Sequence, residues 1–296
     1  MAHLLLRGSP LGSAGEPAAL IEAVLFDKDG TLSHSEPMLL ALSRARIERC
    51  SALLAAHPAG HAGRVPELEA LLRRAYGIAE AAVDPGGITA VAARDHNLIA
   101  TATSLTQVGL SWPDALLIAE DCFAATDALH GQGAEQPPRP TDGLADLLGR
   151  LHVAGVRCAV ISNDHEEGIH AFLSRSGLSS CFEAVWSADH RPRKPDPAAV
   201  HGLCSLLGVS PGRCALIGDA ASDLRMASAA GVPLALGYRA GWRQPPTLDP
   251  GTLIVEHWQE LDVLPDTIRP EPCPSPAGDP VGPGIVSSPV SVHQAR

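Results

Sequence analysis

Two aspartates separated by a single residue, Asp27 and Asp29, close the apolar run Ala23-Val24-Leu25-Phe26 and are followed at once by Gly30-Thr31. In extended backbone, residues two apart project from the same side, so both carboxylates face one site and Lys28 between them points away. Asp27 at the strand tip is placed to act as a nucleophile, and Gly30 has the conformational freedom to turn the chain sharply out of the strand. The Thr31 hydroxyl and nearby backbone N–H groups are suited to holding an anion. The combination fits phosphoryl transfer through an aspartyl phosphate.

Three further segments place polar groups next to apolar runs or helix starts. Arg157–Ile161 leads into Ser162-Asn163, Lys194-Pro195-Asp196 precedes a helix, and Cys214–Ile217 leads into Gly218-Asp219-Ala220-Ala221-Ser222-Asp223. In an open α/β sheet, ligands bind at the carboxyl ends of the strands, so these groups are expected to converge. Asp27, Asp29, Asp219 and Asp223 would repel one another in a low-dielectric cleft, and Lys194 alone does not neutralise them. They imply a hard divalent cation with oxygen ligands, most naturally Mg²⁺. Taken singly, each group has a plainer reading: a solvated turn for the acids, helix caps for Ser162, Asn163 and Asp196, a surface lysine for Lys194.

The elements that must position these groups follow from the hydrophobic pattern. Beyond Thr141, short apolar strands alternate with helices, the pattern of a parallel sheet wrapped by crossovers. Thr141 is expected to cap the first of these helices. The strand over 23–27 must join that sheet, because alone it has nothing to bury its two faces. Between them, residues 33–141 read as helical: one helix capped by Ser35 and opened by Pro37, one from Pro66 to Gly77, one spanning 88–105, and one from Pro113 to about Leu129. The fold class is therefore α/β, a doubly wound Rossmann-like parallel sheet with an inserted α-helical cap. Residues 21–32 and 142–264 form the core and 33–141 the cap and its linker. Residues 1–20 read as a flexible leader, and 265–296, rich in Pro, Gly and Ser, as a disordered tail.

Composition bounds the function. With 22 basic and 33 acidic side chains the formal net charge is −11, which argues against a nucleic-acid or anionic-membrane surface. No apolar run approaches the ~20 residues that cross a bilayer. Cys50, Cys122, Cys158, Cys181, Cys204, Cys214 and Cys273 lack metal-ligand spacing and read as reduced, mostly buried thiols of a cytoplasmic protein. The expected partner is a small phosphorylated metabolite; oligomeric state is left open.

The ordered set DKDGT at 27–31, VISN at 160–163, KPD at 194–196 and GDAASD at 218–223 resembles the four motifs of the haloacid-dehalogenase superfamily, over roughly 23–241. The helical insertion after the first motif is similar to the cap of the phosphoglycolate-phosphatase and β-phosphoglucomutase-like branch. The resemblance implies that Asp27 is the nucleophile and that Asp29 protonates the leaving oxygen, activates water, and helps hold Mg²⁺ through its backbone carbonyl. Ser162, Asn163 and adjacent amides would bind phosphoryl oxygens, and Lys194 would neutralise developing charge. Asp219 and Asp223 would serve the metal. The implied activity is Mg²⁺-dependent hydrolysis of a small anionic phosphomonoester such as a phosphoglycolate-like compound, a sugar phosphate or a nucleotide. A phosphomutase is the alternative. A phospho-aspartate signalling receiver fits less well, because there the acidic pair precedes the phosphorylated aspartate. In the cap, Arg44, Arg46, Arg49, Arg64 and Asp95-His96-Asn97 read as solvated surface. His34 and Glu36 stand where cap hinges and substrate contacts occur in relatives.

Overall fold

The structure, a computed structural model, describes residues 1–12, 18–59, 61–79, 81–131 and 137–266, with backbone alone at 128–131. The tail expected beyond 266, with Cys273, and the Gly/Ser stretch at 13–17 lie outside the described residues. The strands are β1 (Ala2–Leu6), β2 (Ser9–Pro10), β3 (Leu20–Ile21), β4 (Ala23–Phe26), β5 (Ser33–His34), β6 (Arg139–Pro140), β7 (Arg157–Ile161), β8 (Ala184–Trp186), β9 (Cys214–Gly218), β10 (Leu234–Tyr238), β11 (Leu253–Val255) and β12 (Leu261–Pro265). The helices are α1 (Glu36–Ala55), α2 (Val65–Tyr76), α3 (Ile88–Val91), α4 (Arg94–Gln107), α5 (Trp112–Gly131), α6 (Leu144–Val153), α7 (Glu166–Arg175), α8 (Pro197–Leu207) and α9 (Ala221–Ala229).

Strand β4 lies inside a six-stranded parallel sheet of order β11-β10-β9-β4-β7-β8. Its side chains alternate between two cores. Val24 and Phe26 pack with Leu147, Leu151 and Phe172 from α6 and α7, while Ala23 and Leu25 pack with Val200, Leu203 and Leu224 from α8 and α9. Helices on both faces make the sheet doubly wound, as the α/β reading requires. The helical insertion has its own core around Leu54, Leu68, Leu72, Tyr76, Leu105 and Phe123. Its two ends meet at the sheet's carboxyl edge, where β5 pairs antiparallel with β6 and the Thr141 hydroxyl donates to the Thr31 carbonyl at 2.9 Å.

Several local expectations are corrected. The leader is not loose over its first residues: Ala2, Leu4 and Leu6 are buried, His3 and Leu5 half-buried, and β1 pairs antiparallel with β12 from Ala2↔Pro265 to Leu6↔Leu261. This alternation is that of a half-buried strand, and its partner extends to Pro265, the first residue assigned to the tail. The helix expected over 88–105 breaks, because Ala92 and Ala93 are extended. The buried Asn97 amide donates to the carbonyls of Ile88, Ala92 and Ala93, each at 3.2 Å, and so satisfies backbone acceptors that the break frees. Neither expected hydroxyl cap forms. Ser35 donates instead to the Asp29 carboxylate, and Gly143 precedes α6 while Thr141 bonds Thr31 and accepts from Trp258 Nε1 at 2.8 Å.

Candidate active site

Sheet register brings the strand ends together. Phe26 stands beside Val160 of β7 and Ile217 of β9, so the residues that follow each of these strands emerge at one level. The Asp27 amide donates to the Ile217 carbonyl at 2.9 Å, which fixes the first acid against the fourth motif. The result is a buried trio: one carboxylate oxygen from each of Asp27, Asp219 and Asp223 lies within 4.8 Å of the others.

Lys194 reaches into this trio, donating to Asp27 Oδ1 at 2.6 Å and Asp223 Oδ2 at 2.8 Å. Burial favours its neutral form, yet Asp223 and Asp27 hold its pKa above the usual lysine range. Asp223 is pushed up to about 6, by burial first, with Lys194 drawing it down and the Asp27 charge raising it. Asp219 lies well above the carboxylate range through burial and the charges of Asp27 and Asp223. No cation touches it among the described residues. Its oxygens accept from two neutral donors, Thr31 Oγ1 at 3.2 Å and Trp242 Nε1 at 2.6 Å. Three buried oxygen donors with one lysine between them carry more negative charge than the protein compensates, and this donor set fits a hard divalent cation such as Mg²⁺.

Gly30 has φ +79°, and a Cβ there would lie 1.9 Å from Trp242 Nε1; one at Gly241 would lie 1.8 Å from the Gly30 carbonyl oxygen. The two backbones therefore touch, and that approach sets Trp242 onto Asp219. Trp242 follows β10 at the same edge of the sheet, a strand end that sequence reasoning left out of the set.

Lys28 does not point away from the acids. It is buried and pairs with Asp29 Oδ1 at 2.7 Å and Asp164 Oδ2 at 3.0 Å. Although burial opposes its charge, Asp164 and Asp29 hold its pKa above the usual range. A lysine inside a buried segment needs acid partners, and that was the available signal for this pairing. Ser35 bonds the same Asp29 oxygen; among the described residues Oδ2 accepts no hydrogen bond. Asp29 stands outside the carboxylate trio.

Of the groups expected to hold phosphate, Ser162 is buried and accepts from the Asp164 amide at 3.1 Å, so its own O–H is available to donate. Two others depart from expectation. The Thr31 hydroxyl is committed to Asp219, and the Asn163 amide donates to the Val91 carbonyl of the cap at 3.0 Å. Asp196 is a helix cap, accepting from the Ala198 amide. Glu36 joins the cap to the core, accepting from the amides of Val83 at 2.9 Å and Arg243 at 2.8 Å, and His34 Nδ1 lies 3.2 Å from the Gly241 carbonyl oxygen.

Above the trio lies a cavity of about 510 Å³ between core and cap. Asp27, Asp29, Ser162, Lys194, Asp219 and Asp223 line its core side. The cap contributes an apolar strip of Met38, Leu39 and Leu42, and beyond it Arg46, Arg94 and Asp127. Arg46, expected on a solvated face, is in fact buried and lies over the Phe123 ring at 3.8 Å.

Comparison with known proteins gives a concordant result. The model of the haloacid dehalogenase-like hydrolase family matches residues 21–231. The chain is 32% identical to a phosphoglycolate phosphatase of Rhodospirillum rubrum, over 88% of this chain and 95% of that one. It is 29% identical to an N-acetylmuramic acid 6-phosphate phosphatase of Pseudomonas aeruginosa, over 82% of this chain and 95% of that one. In fold it is similar to the crystal structure of a predicted phosphoglycolate phosphatase from Haemophilus somnus, with a TM-score of 0.55 at 20% identity, covering 80% of this chain and 95% of that one.

Proposed function

Because the chain belongs to the haloacid dehalogenase-like hydrolase family, we propose that it is a Mg²⁺-dependent phosphatase of a small anionic phosphomonoester, with Asp27 as its nucleophile. The observation that carries this reading is the buried Asp27 carboxylate, held by Lys194 beside Asp219 and Asp223 at the floor of a capped cavity. The two relatives' names describe phosphomonoesters of carboxylic acids, which supports an anionic leaving group.

Asp27, Asp219 and Asp223, with the Asp29 backbone carbonyl, would hold Mg²⁺, which supplies charge neutralisation for the approach of an anionic nucleophile to an anionic ester. Asp27 attacks phosphorus in line, the P–O bond to the leaving group breaks, and an aspartyl phosphate forms. Asp29 protonates the departing oxygen through Oδ2, since Lys28 and Ser35 both occupy Oδ1. It then takes a proton from the water that attacks the acyl phosphate, releasing phosphate and restoring Asp27. Lys194 and the Ser162 hydroxyl stabilise charge on the phosphoryl oxygens. The cap covers the site and excludes bulk water.

The purified chain is expected to release phosphate from an aryl phosphate, to lose that activity on chelation and to regain it with Mg²⁺. Asp27→Asn should lower kcat at least about a thousandfold. Undiminished turnover in that variant would overturn the mechanism. Product analysis with a sugar phosphate separates hydrolysis from the phosphomutase alternative: isomerisation without net phosphate release would displace the phosphatase reading.

A further inference from the structure

The charges lining the cavity differ between its two ends. On the core side, acids outnumber cations around the reacting carboxylate. The cap side carries two guanidiniums, Arg46 and Arg94, against the single carboxylate of Asp127. Arg94 meets Asp127 at 2.6 Å and is about one-third exposed. Arg46 is different: its side chain is 8% exposed, and among the described residues its guanidinium makes one hydrogen bond, to Asp127 at a long 3.4 Å. Its Nε is buried with no acceptor. A guanidinium has five N–H donors and cannot shed its charge, so a buried one with a single weak acceptor lacks a partner. Phe123 supplies a face for it to stack on but no acceptor.

Size bears on the missing partner. A volume of about 510 Å³ is room for on the order of seventeen waters. Phosphoglycolate, with nine non-hydrogen atoms, leaves much of that space unfilled. The apolar strip of Met38, Leu39 and Leu42 lies on the same cap wall and suits the carbon skeleton of a longer leaving group.

We propose that Arg46 and Arg94 form a carboxylate-binding subsite in the cap, and that the substrate is a phosphomonoester whose leaving group is larger than two carbons and ends in a carboxylate. This rests on the phosphatase reading and names its substrate class. The planar carboxylate matches the guanidinium fork, and Asp127 holds the two forks side by side without neutralising both.

The test uses a pair of compounds that differ only at the far end, 6-phosphogluconate and sorbitol 6-phosphate, with phosphoglycolate as the short carboxylate. Wild-type kcat/KM is expected to favour 6-phosphogluconate over sorbitol 6-phosphate by at least about tenfold, and over phosphoglycolate as well. The first ratio should fall below about threefold in Arg46→Met, which keeps an apolar surface on Phe123, and should decline in Arg94→Met. Equal handling of the pair by the wild type, or an unchanged ratio in both variants, overturns the subsite. Preference for phosphoglycolate overturns the size assignment. Calorimetric titration of the full-length Asp27→Asn chain with the same compounds, in the presence of Mg²⁺, reads the binding ratio without turnover. If no phosphomonoester is hydrolysed, the phosphatase reading fails while the calorimetric ratio still decides the subsite.

Discussion

At Asp219 two neutral donors do the positioning. Thr31 and Trp242 orient both carboxylate oxygens without cancelling the charge that a metal would need. Such hydrogen bonds to ligand residues commonly contribute ten- to a hundredfold in metal affinity. Trp242→Phe keeps most of the packing and removes the N–H, so Mg²⁺ binding measured by calorimetry should weaken by about tenfold or more. Lys28 has the opposite part, a buried cation shared by Asp29 and Asp164. Lys28→Met leaves both carboxylates without it, and urea unfolding should show a loss of about 3–5 kcal/mol. The sequence made the identities of Asp27, Asp29, Lys194, Asp219 and Asp223 legible because each abuts an apolar run or opens a helix. It did not reveal that the Thr31 and Asn163 side chains are committed elsewhere, since hydrogen-bond partners 188 and 72 residues away leave no local trace.

Between elements, cap and core are tied at residues adjacent to the chemistry. Arg193, beside Lys194, pairs with Asp95 of α4 at 2.5 Å. Asp95 is more than half exposed, so the pair contributes no more than about 1 kcal/mol to folding. Asp95→Ala should leave the urea midpoint nearly unmoved while raising KM about two- to fivefold, because the pair joins cap to core beside the cavity and lies outside the hydrophobic cores. Partial burial opposes ionisation of Asp95, but the bond from Arg193 holds its pKa below the usual carboxylate range. A depressed carboxylate contributes above its unfolded pKa of roughly 3.9 and loses that contribution as pH falls through the lower folded value. Between pH 5 and 8 the tie stays charged, so the KM difference between wild type and variant should be constant there. The helix order of the cap was readable from proline starts and apolar spacing. The break at Ala92-Ala93 was not, because it depends on Asn97 reaching back to three carbonyls, and no periodicity encodes that.

Across the whole molecule, the first strand closes on the last described one. Leu4, Leu6 and Leu11 are buried in the core that also holds Phe26, Tyr238 and Trp258. At about 1.5–3 kcal/mol for each buried leucine, an upper estimate, deletion of residues 1–12 should cost several kcal/mol. A fall in the urea midpoint of that chain would register it; an unchanged midpoint would show that β1 is dispensable. Sequence alone determined the α/β class, the order of the motifs and the residue types of the site, because these rest on local alternation, turn chemistry and the demands of phosphoryl transfer. Tertiary structure decided what depends on distant contact: that residues 2–6 are a strand, that Trp242 donates to Asp219 of the carboxylate trio, and that Arg46 is buried against the cavity. A segment's periodicity says which face it must bury, and only the packed chain says against what.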